Sequence, residues 1–527
     1  MLGSPASRLH VTALIHRGAQ QYPDNVFTID AATQRQRSYR ETAERVARLA
    51  AALRAQGLSK GGRVALVALN SDRYLEVMFA CAWAGGLVVP LNIRLAVPEM
   101  VEQLVDCAAE VLIVDDAFKG VAEGVRGRVP SVRTVVFCGE GAAPAGSLRY
   151  EALLAQHAPC EDAQRGGDDV FGLFYTGGTT GKPKGVMLTH GNIFVNALGH
   201  VAMLQYSASS RYLHSAPMFH LADMASTFGV TMAGGSHVFI PRFVPEELLR
   251  AVQQFRVNKA MMVPSMIAML LQTPNQEQYD CSSLENLIYG ASPMPEALLA
   301  PAMAKFPRCK FTQGYGMTET SPAICMLPPE AHTPGNKHLR SVGRPVPWAE
   351  VRIVDKNNQP VPRGTVGEIV TRGPHVMKGY WNMPDKTAET VDAQGWMHTE
   401  DGGYMDAEGY VFIVDRIKDM IITGGENVYA TEVENAVAKF PGVAMCAVIG
   451  LPDKKFVEIV AAFVVPQPGA KLDEAAVIKH CRDHIANYKV PRKVFLRKEL
   501  PMSGAGKILK NKLREEFKTD ALGNAKL

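Results

Sequence analysis

The sequence predicts an α/β protein with a large N-terminal domain of parallel-type sheet layers, a β-rich portion within that domain, and a small C-terminal α/β domain. Short β-branched runs alternate with apolar residues at helical spacing along much of the chain, a pattern typical of parallel sheets. Between residues 351 and 410, turn signals recur every eight to twelve residues, as they do between hairpin strands. The charged segment DRIKD at 415–419 separates two apolar runs and predicts a boundary between residues 1–416 and 417–527.

The elements of the N-terminal part follow from local patterns. Residues 63–70 (RVALVALN) predict a strand, and Ser71 after it predicts the N-cap of a helix. Tyr74, Leu75 and Met78 recur at helical spacing beyond that cap. The further predicted elements are strands at 111–114, 134–137 and 169–175 and a helix at 192–204.

The C-terminal part has its own signals. The sequence TEVE at 431–434 matches the capping-box pattern, so we expect a helix to begin at Thr431 and run towards Phe440. The polar residues after Leu513 predict a frayed tail. The further predicted elements are strands at 443–449 and 459–465 and a helix at 475–486.

Composition narrows the class of protein. At about 150 residues per domain, 527 residues predict three or four domain-sized units. The net charge of +4 is too small to indicate a nucleic-acid partner. The nine cysteines form no CxxC pair, which disfavours a disulfide framework or a zinc site and favours the cytoplasm. The apolar stretch at 77–91 is shorter than the ~20 residues of a membrane span, so no integral membrane segment is expected, and a homodimer stays an open alternative.

A loop rich in glycine and threonine, YTGGTTGKPKG at 175–185, is the strongest local signal for a binding site. Its glycines allow the backbone amides to face an anion, and its threonines and lysines add donors and positive charge. The loop predicts polyphosphate binding, although its composition alone also fits a flexible surface loop. It is not a Walker A loop, because Lys182 is followed by Pro183 rather than by serine or threonine.

The longer string YTGGTTGKPKGVMLTH resembles the phosphate loop of the adenylate-forming enzymes: acyl-CoA synthetases, firefly-type luciferases and nonribosomal peptide adenylation domains. The resemblance continues through several motifs, in the family's order, along nearly the whole chain, and is strongest to fatty acyl-CoA and aryl-CoA synthetases. Gly177 departs from the family, whose loop usually carries a serine there. The resemblance implies ATP, Mg²⁺ and coenzyme A as ligands. It places the nucleotide phosphates against Thr176, Gly177, Gly178, Thr179, Thr180, Gly181 and Lys184.

A second motif, GYGMTE at 314–319, resembles the family's adenine and metal element. The resemblance implies that Tyr315 stacks on the adenine beside Gly316, that Thr318 donates to the α-phosphate, and that Glu319, with Thr176, binds Mg²⁺. A carboxylate is a hard oxygen ligand and suits that ion. The family's remaining nucleotide-binding positions correspond here to Gly290, Ala291 and Ser292 on the adenine side and to Asp401 and Arg416 at the ribose.

The resemblance also implies which residues bind the acyl substrate. Met218-Phe219-His220 is similar to the family's aromatic–histidine element, which places His220 among the catalytic residues beside the substrate carboxylate. That carboxylate is ionised at pH 7 and needs no general base. The implied acyl pocket consists of Phe219, His220, Met224, Val263 and Met317. Members that activate amino acids carry an aspartate near this element, and Asp223 leaves that alternative open.

The C-terminal motifs complete the resemblance. Gly424, Gly425 and Glu426 correspond to the loop that lines the CoA tunnel. Lys507, on the Gly-rich turn PMSGAGK, corresponds to the lysine that serves the first half-reaction. Lys418 occupies the hinge about which the small mobile domain of the family rotates between the two half-reactions.

The expected function is an ATP- and Mg²⁺-dependent carboxylic acid–CoA ligase that works through an acyl-adenylate. The apolar, Met-rich pocket residues favour a medium- or long-chain fatty acid first and an aryl or arylalkanoic acid second. Three further alternatives stay open: an adenylation enzyme that loads a carrier protein, a luciferase-like oxygenase, and a non-catalytic nucleotide-binding regulator.

Overall fold

A computed structural model gives the fold. It describes residues 9–176, 183–292, 294–416, 419–423, 426–453, 455–503 and 508–518. The helices are α1 Thr12–Gln21, α2 Tyr39–Ala55, α3 Asp72–Ala84, α4 Val97–Asp106, α5 Lys119–Val125, α6 Tyr150–Gln156, α7 His190–Leu204, α8 Leu221–Ala233, α9 Pro245–Phe255, α10 Pro264–Leu271, α11 Glu296–Lys305, α12 Pro384–Thr390, α13 Ala430–Ala438, α14 Glu474–His484 and α15 Lys510–Lys518.

The strands fall into four sheets. In chain order they are β1 Val26–Asp30, β2 Arg35–Ser38, β3 Arg63–Val67, β4 Leu87–Pro90, β5 Val111–Val114, β6 Thr134–Phe137, β7 Leu148–Arg149, β8 Val170–Thr176, β9 Lys184–Thr189, β10 Arg211–His214, β11 Ser236–Phe239, β12 Lys259–Met262, β13 Asn286–Gly290, β14 Lys310–Gly316, β15 Ala323–Leu327, β16 Arg344–Pro345, β17 Glu350–Val354, β18 Gly367–Arg372, β19 Gly379–Tyr380, β20 Met397–Met405, β21 Val411–Arg416, β22 Ile421–Thr423, β23 Glu426–Val428, β24 Val443–Asp453, β25 Val457–Pro466 and β26 Lys493–Leu496.

Two large, mostly parallel sheets form the N-terminal part. One has eight strands in the order β19-β9-β8-β4-β3-β5-β6-β7, and the other has nine in the order β16-β15-β14-β13-β12-β10-β11-β1-β2. Strands such as β5 (VLIV) are buried along their whole length, as expected for strands covered on both faces. The predicted strands at 111–114 and 134–137 form at those residues. Ser71 caps α3 as predicted, since its side chain accepts from the Tyr74 amide.

The β-rich portion is an antiparallel sheet of four strands in the order β17-β18-β20-β21. It starts at Glu350 and continues to Arg416, so it extends past the predicted end at 410. Its last strand places Arg416 opposite Asp401 in register. The sheet therefore brings the two predicted ribose-binding positions together at the backbone level.

The C-terminal part is a sheet in the order β23-β22-β25-β24, with β26 added beside β25, and helices pack against it. The predicted capping box is wrong. Helix α13 begins at Ala430 with Tyr429 at its N-cap and no side-chain cap, because burial of Val433 and Val437 fixes the helix against the sheet. The expected fraying after Leu513 is also wrong up to Lys518, since α15 continues there.

The cause of this longer helix is apolar packing. Leu513 is 1% exposed, and Phe517 contacts the rings of Phe463 and Phe495 on the sheet. The described part of the chain contains no helix long and apolar enough to cross a membrane. The apolar stretch at 77–91 is instead divided between α3 and β4.

Candidate active site

Most of the predicted site residues that the structure describes line one large cleft of about 2830 Å³. Strands β10, β12, β13 and β14 are parallel neighbours, and the loops after their carboxyl ends line this cleft. Ligands bind at that edge of open α/β sheets. The hairpin β8–β9 of the other large sheet and residues of the C-terminal part also line the cleft.

Glycines allow the chain to pass closely at the ends of β13 and β14. A β-carbon on Gly290 would lie 2.2 Å from the carbonyl oxygen of Gly314 on the neighbouring strand. One on Gly316 would lie 1.6 Å from the carbonyl oxygen of Pro322. Any side chain at either position would therefore separate the two segments and disturb the cleft wall that they form. Ala291 follows with φ of +65°, a left-handed conformation that turns the chain at the cleft.

Tyr315 and Asp401 meet across two different sheets. The Tyr315 hydroxyl donates to Asp401 Oδ2 at 2.7 Å. Burial and the neighbouring Asp401 carboxylate raise the pKa of Tyr315 well above its usual value, so the phenol keeps its proton and acts as the donor. The Asp401 amide also donates to Thr399 Oγ1 at 3.1 Å. A carboxylate held in this way by its neighbours is suited to accept hydrogen bonds from sugar hydroxyls.

Glu319 and the phosphate-loop hairpin are joined through a tyrosine. The Tyr380 hydroxyl donates to Glu319 Oε1 at 2.9 Å. The ammonium of Lys184 lies 5.0 Å from the centre of the Tyr380 ring. Thr176 pairs with Lys184 at the base of the β8–β9 hairpin, so both motifs reach one corner of the cleft. The Glu319 side chain is buried. Burial of the Tyr380 hydroxyl and the neighbouring Glu319 carboxylate raise the pKa of Tyr380.

The donor set suits a magnesium ion that arrives with its nucleotide. Among the described residues, no cluster of three or more His, Cys, Asp or Glu side chains is arranged to hold a metal ion. Mg²⁺ is commonly bound by one or two carboxylates, with substrate phosphates and water as its other ligands. Glu319, buried at the cleft wall with Tyr380 orienting one oxygen, fits that pattern, and Thr176 lines the same cleft.

His220 is held at the start of α8. Its Nδ1 accepts from the Ala222 amide at 3.2 Å, so the N-cap bond orients the ring, and a neutral ring then carries its proton on Nε2. Phe219, Val263 and Met317 line the cleft with it. Met224 does not: it is completely buried in the core cluster that contains Met218 and Phe228.

Asp223 is turned away from the cleft and is bound inside the protein. Its carboxylate lies 2.5 Å from His214 Nδ1 and accepts from the Tyr212 hydroxyl at 3.1 Å. His214 in turn contacts His237 through its other ring nitrogen at 2.9 Å. With both oxygens engaged and its side chain fully buried, Asp223 presents no carboxylate to a substrate ammonium.

Several predicted positions lie outside the described residues or side chains. They are Gly177, Gly178, Thr179, Thr180 and Gly181 of the phosphate loop, Lys418, Gly424, Gly425, Lys507 and the side chain of Arg416. Glu426 begins β23 and is exposed, and Ser292 lines the cleft. Arg94 Nη1 donates to the carbonyl of Ser503, four positions before Lys507 in the sequence, at 3.0 Å, which joins the N-terminal part to the C-terminal part.

Two residues with candidate functional contacts, Tyr380 and Arg94, were not predicted from the sequence. Tyr380 lies 61 positions after its partner Glu319, and Arg94 lies 409 positions before Ser503, so neither pair forms a local pattern. Tyr380 stands in the sequence KGYW at 378–381, and its place between turn residues was a weak signal for the Tyr380–Glu319 contact. No sequence signal distinguishes Arg94 from other exposed arginines.

The fold and this cleft indicate a class of enzyme that is built from a large and a small α/β part. Two family models match the chain: AMP-binding enzyme over residues 15–381 and AMP-binding enzyme C-terminal domain over residues 432–507. The chain belongs to the AMP-binding enzyme family, as its motifs indicated, and is an AMP-forming acyl-CoA ligase by class.

Individual relatives show how broad that class is. The chain is 41% identical to a feruloyl-CoA synthase of an Amycolatopsis species, over 91% of this chain and 94% of the relative. It is 34% identical to the long-chain-fatty-acid–CoA ligase FadD13 of Mycobacterium tuberculosis, over 89% of this chain and 91% of the relative. The crystal structure of the anthranilate CoA ligase AuaEII in complex with anthranoyl-AMP superposes with a TM-score of 0.90 at 27% identity, covering 98% of both chains.

Proposed function

We propose that the protein joins an aromatic monocarboxylic acid to coenzyme A, using ATP and Mg²⁺ and passing through an acyl-adenylate. The observation that carries the proposal is the apolar wall beside His220. Phe219, Ala222, Val263 and Met266 line the cleft there and are suited to enclose a flat, apolar substrate body. The feruloyl and anthranilate ligases among the similar proteins act on aromatic acids by their names, which supports the same substrate class here.

In the first half-reaction, a substrate carboxylate oxygen attacks the α-phosphorus of ATP, and the bond from that phosphorus to the pyrophosphate oxygen breaks. Catalysis of this step rests on positioning and on electrostatic stabilisation. Thr176 and the loop after it would position the phosphates, and Thr318 would donate to the α-phosphate. Glu319 would hold Mg²⁺, which supplies positive charge to the phosphate oxygens when bound. Lys507 would add a second positive charge.

The nucleotide's sugar and base have their own proposed partners. Asp401, oriented by the Tyr315 hydroxyl, would accept from the ribose hydroxyls, with Arg416 beside it in register. The close passage of the chain at Gly290 and Gly316 would leave a flat surface for the adenine. These contacts would fix the α-phosphorus relative to the carboxylate beside His220.

In the second half-reaction, the CoA sulfur attacks the acyl carbonyl and AMP leaves. We propose that the C-terminal part then turns about Lys418, which removes Lys507 and brings Gly424, Gly425 and Glu426 to the site. The Arg94–Ser503 contact would belong to the arrangement for the first half-reaction, because it holds the loop that carries Lys507 against the N-terminal part.

A medium- or long-chain fatty acid is the second candidate substrate. Met266, Met269, Met294 and Met326 line the cleft, and unbranched thioether side chains adapt to flexible alkyl chains. The similarity to FadD13 supports the same class. An amino acid is not favoured, because Asp223 is bound to His214 and Tyr212.

The test is pyrophosphate release by the purified full chain over a panel of aromatic and alkanoic acids, with and without CoA. The proposal predicts CoA-dependent turnover that is fastest with an aromatic acid. Fastest turnover on a long alkanoic acid would establish the second candidate instead. A single stoichiometric burst that CoA does not extend would indicate a carrier protein as the acceptor, and nucleotide binding without release from any acid would indicate a regulator.

We propose that the protein works in the cytoplasm, where its substrates ATP and CoA are available. All nine cysteines are free thiols, which is consistent with a reducing compartment. Fractionation of cells that express the chain at its native level, followed by immunoblotting, tests this assignment.

A further inference from the structure

One buried amide side chain joins the two large sheets beside the cleft. Asn70 lies between β3 of the eight-stranded sheet and α3, is 5% exposed, and lines the cleft. Its backbone amide donates at 3.2 Å to the carbonyl of Pro241, two residues beyond the end of β11 in the nine-stranded sheet. The residue before it is also fixed, because the Leu69 amide donates to Asp115 Oδ2 at 2.7 Å. The backbone at Asn70 is therefore held in place on both sides.

The Asn70 side chain holds the loop that connects β10 to α8. Its Nδ2 donates to the His214 carbonyl at 3.2 Å and to the Ala216 carbonyl at 2.9 Å. Its Oδ1 accepts from the Met218 amide at 2.9 Å. The three partners are alternate residues of one segment, so a single amide satisfies backbone groups along most of the loop. His220 follows two residues after the last partner, caps α8 and lines the cleft.

The three bonds require an amide. Two of the partners are carbonyl oxygens, which only accept, and the third is an N–H group, which only donates. Asparagine supplies two N–H donors and an acceptor oxygen on one rigid group, so all three bonds form together. An ionised aspartate has the same shape but only accepts, and its charge would face two carbonyl oxygens. Because the loop engages both N–H groups of Asn70, this side chain acts on the loop and not on a substrate.

The end of the loop that presents His220 depends on these bonds. The His220 amide donates to the Pro217 carbonyl at 3.0 Å, and Pro217 lies between two of the residues that Asn70 holds. The start of the loop has a second side-chain anchor, since the Ser215 hydroxyl donates to the Met261 carbonyl of β12 at 2.9 Å. Asn70 therefore holds the part of the loop that is nearest to His220.

We propose that Asn70 is a positioning residue that places Phe219 and His220 against the substrate carboxylate in the first half-reaction. The inference rests on the proposed function, because it requires that this carboxylate lie beside His220. The proposed nucleotide partners Tyr315 and Asp401 are on other strands, β14 and β20, so loss of the Asn70 bonds should impair use of the acid and not binding of ATP. A displacement of about 1 Å in an active site can cost about 100-fold in rate.

The experiment measures pyrophosphate release by the purified full chain, with the acid that the wild type uses fastest as the varied substrate. Asn70→Ala removes all three bonds and should lower kcat/KM for the acid by about 10- to 100-fold. Its affinity for α,β-methylene-ATP with Mg²⁺, measured by titration calorimetry, should stay within about twofold of wild type. Asn70→Asp keeps the side-chain shape and should lose as much, whereas Asn70→Ser retains one donor and should fall between Asn70→Ala and wild type.

Tyr39→Phe is the matched control. The Tyr39 hydroxyl donates to the Gly235 carbonyl at 2.7 Å, is deeply buried, and neither residue lines the cleft. The control should lower the denaturation midpoint and leave kcat/KM for the acid unchanged.

Two results overturn the inference and leave the proposed function standing. The first is a kcat/KM for the acid in folded Asn70→Asp that equals wild type, because shape alone would then suffice. The second is an equal loss of acid use and of affinity for α,β-methylene-ATP, which indicates a general defect. If Asn70→Ala does not fold, Asn70→Ser decides, and unchanged acid use in that variant also overturns the inference. If the wild type releases no pyrophosphate with any acid, the proposed function is wrong and the inference falls with it.

Discussion

Replacing Tyr380 with phenylalanine isolates the hydroxyl that holds Glu319. The substitution keeps the aromatic ring over which the Lys184 ammonium lies and removes only the donor, 2.9 Å from Glu319 Oε1. Tyr380 is 4% exposed and Glu319 is 5% exposed, so water has little access to replace the lost bond. The prediction is that the carboxylate loses its orientation and that Mg²⁺·ATP is used less efficiently.

The size of the effect follows from the nature of the bond. A hydrogen bond to a charged acceptor contributes about 1.5–3 kcal/mol, which corresponds to about 10- to 150-fold in an equilibrium or rate constant. Loss of a group that orients a metal ligand typically costs about 10- to 100-fold in metal affinity or activity. We therefore expect kcat/KM for Mg²⁺·ATP in pyrophosphate release to fall by about 10- to 100-fold in Tyr380→Phe, with a higher Mg²⁺ concentration needed for half-maximal rate.

A matched control exists at a distance from the cleft. The Tyr150 hydroxyl donates to Glu76 Oε2 at 2.7 Å, and both side chains are fully buried. Tyr150→Phe removes the same kind of bond, so it should lower the denaturation midpoint and leave the Mg²⁺ dependence unchanged. If the rate of pyrophosphate release depends on Mg²⁺ concentration in the same way in the wild type and in Tyr380→Phe, measured at saturating acid, the Tyr380 hydroxyl does not orient Glu319 for binding Mg²⁺.

Four further predictions concern other contacts of the fold and the site. Asp401→Asn should raise KM for ATP by about tenfold or more in pyrophosphate release, because the amide loses the charge that strengthens its hydrogen bonds to a sugar; an unchanged KM removes Asp401 from the nucleotide site. Arg94→Ala should slow adenylate formation by about 2- to 12-fold in rapid-quench assays, the worth of one ordinary hydrogen bond, and spare thioester formation from supplied adenylate; equal slowing of both steps contradicts its assignment. Asp223→Asn should lower the free energy of unfolding by about 1–3 kcal/mol in urea titrations and confer no amino-acid activation, because it disrupts the buried hydrogen bonds with His214 and Tyr212; activation of any amino acid contradicts the structural role. Burial raises the pKa of Glu151, but its arginine partners outweigh burial and lower the pKa to about 2. The contribution of Glu151 to stability is therefore complete above about pH 4.5 and is lost as the pH falls towards 2. Glu151→Gln should flatten the curve of stability against pH in that window, and parallel curves for the wild type and the variant contradict this prediction.

Much of the cleft lining could be predicted because its residues lie in short, contiguous motifs. The GYGMTE segment ends a strand, and two of its features depend only on the local chain: the close passage at Gly316 and the turn that carries Glu319. The strand before the phosphate loop was visible as an apolar run at 169–175, and it forms as β8. Local signals were sufficient wherever a single strand and its loop determine the position of a residue.

Contacts between distant segments could not be predicted in that way. Tyr380 and Asp223 obtain their roles from partners that only the packed structure reveals. Met224 illustrates the phase of a helix: Ala222 and Ser226, four residues apart, share the face of α8 that meets the cleft, and Met224 lies between them on the face that meets the core. A prediction of pocket residues from their closeness to His220 in the sequence cannot distinguish the face of α8 that meets the cleft from the face that meets the core.

Capping motifs show the same limit in the C-terminal part. TEVE at 431–434 satisfies the capping-box pattern, and the helix nevertheless begins one residue earlier without a side-chain cap. Burial of Val433 and Val437 against the sheet outweighs the cap, which contributes about 1 kcal/mol. The pattern identified the helix correctly and its first residue incorrectly.

The most direct test of the central proposal follows one aromatic acid through both half-reactions. The enzyme is mixed with ATP, Mg²⁺ and 4-hydroxycinnamate, and samples are quenched before and after CoA is added. The products are separated and identified by mass spectrometry. We predict an enzyme-bound aryl-adenylate with one equivalent of pyrophosphate before CoA is added, and an aryl-CoA thioester with AMP afterwards. An adenylate that persists in the presence of CoA, or thioester formation from a long alkanoic acid in preference to every aromatic acid offered, would contradict it.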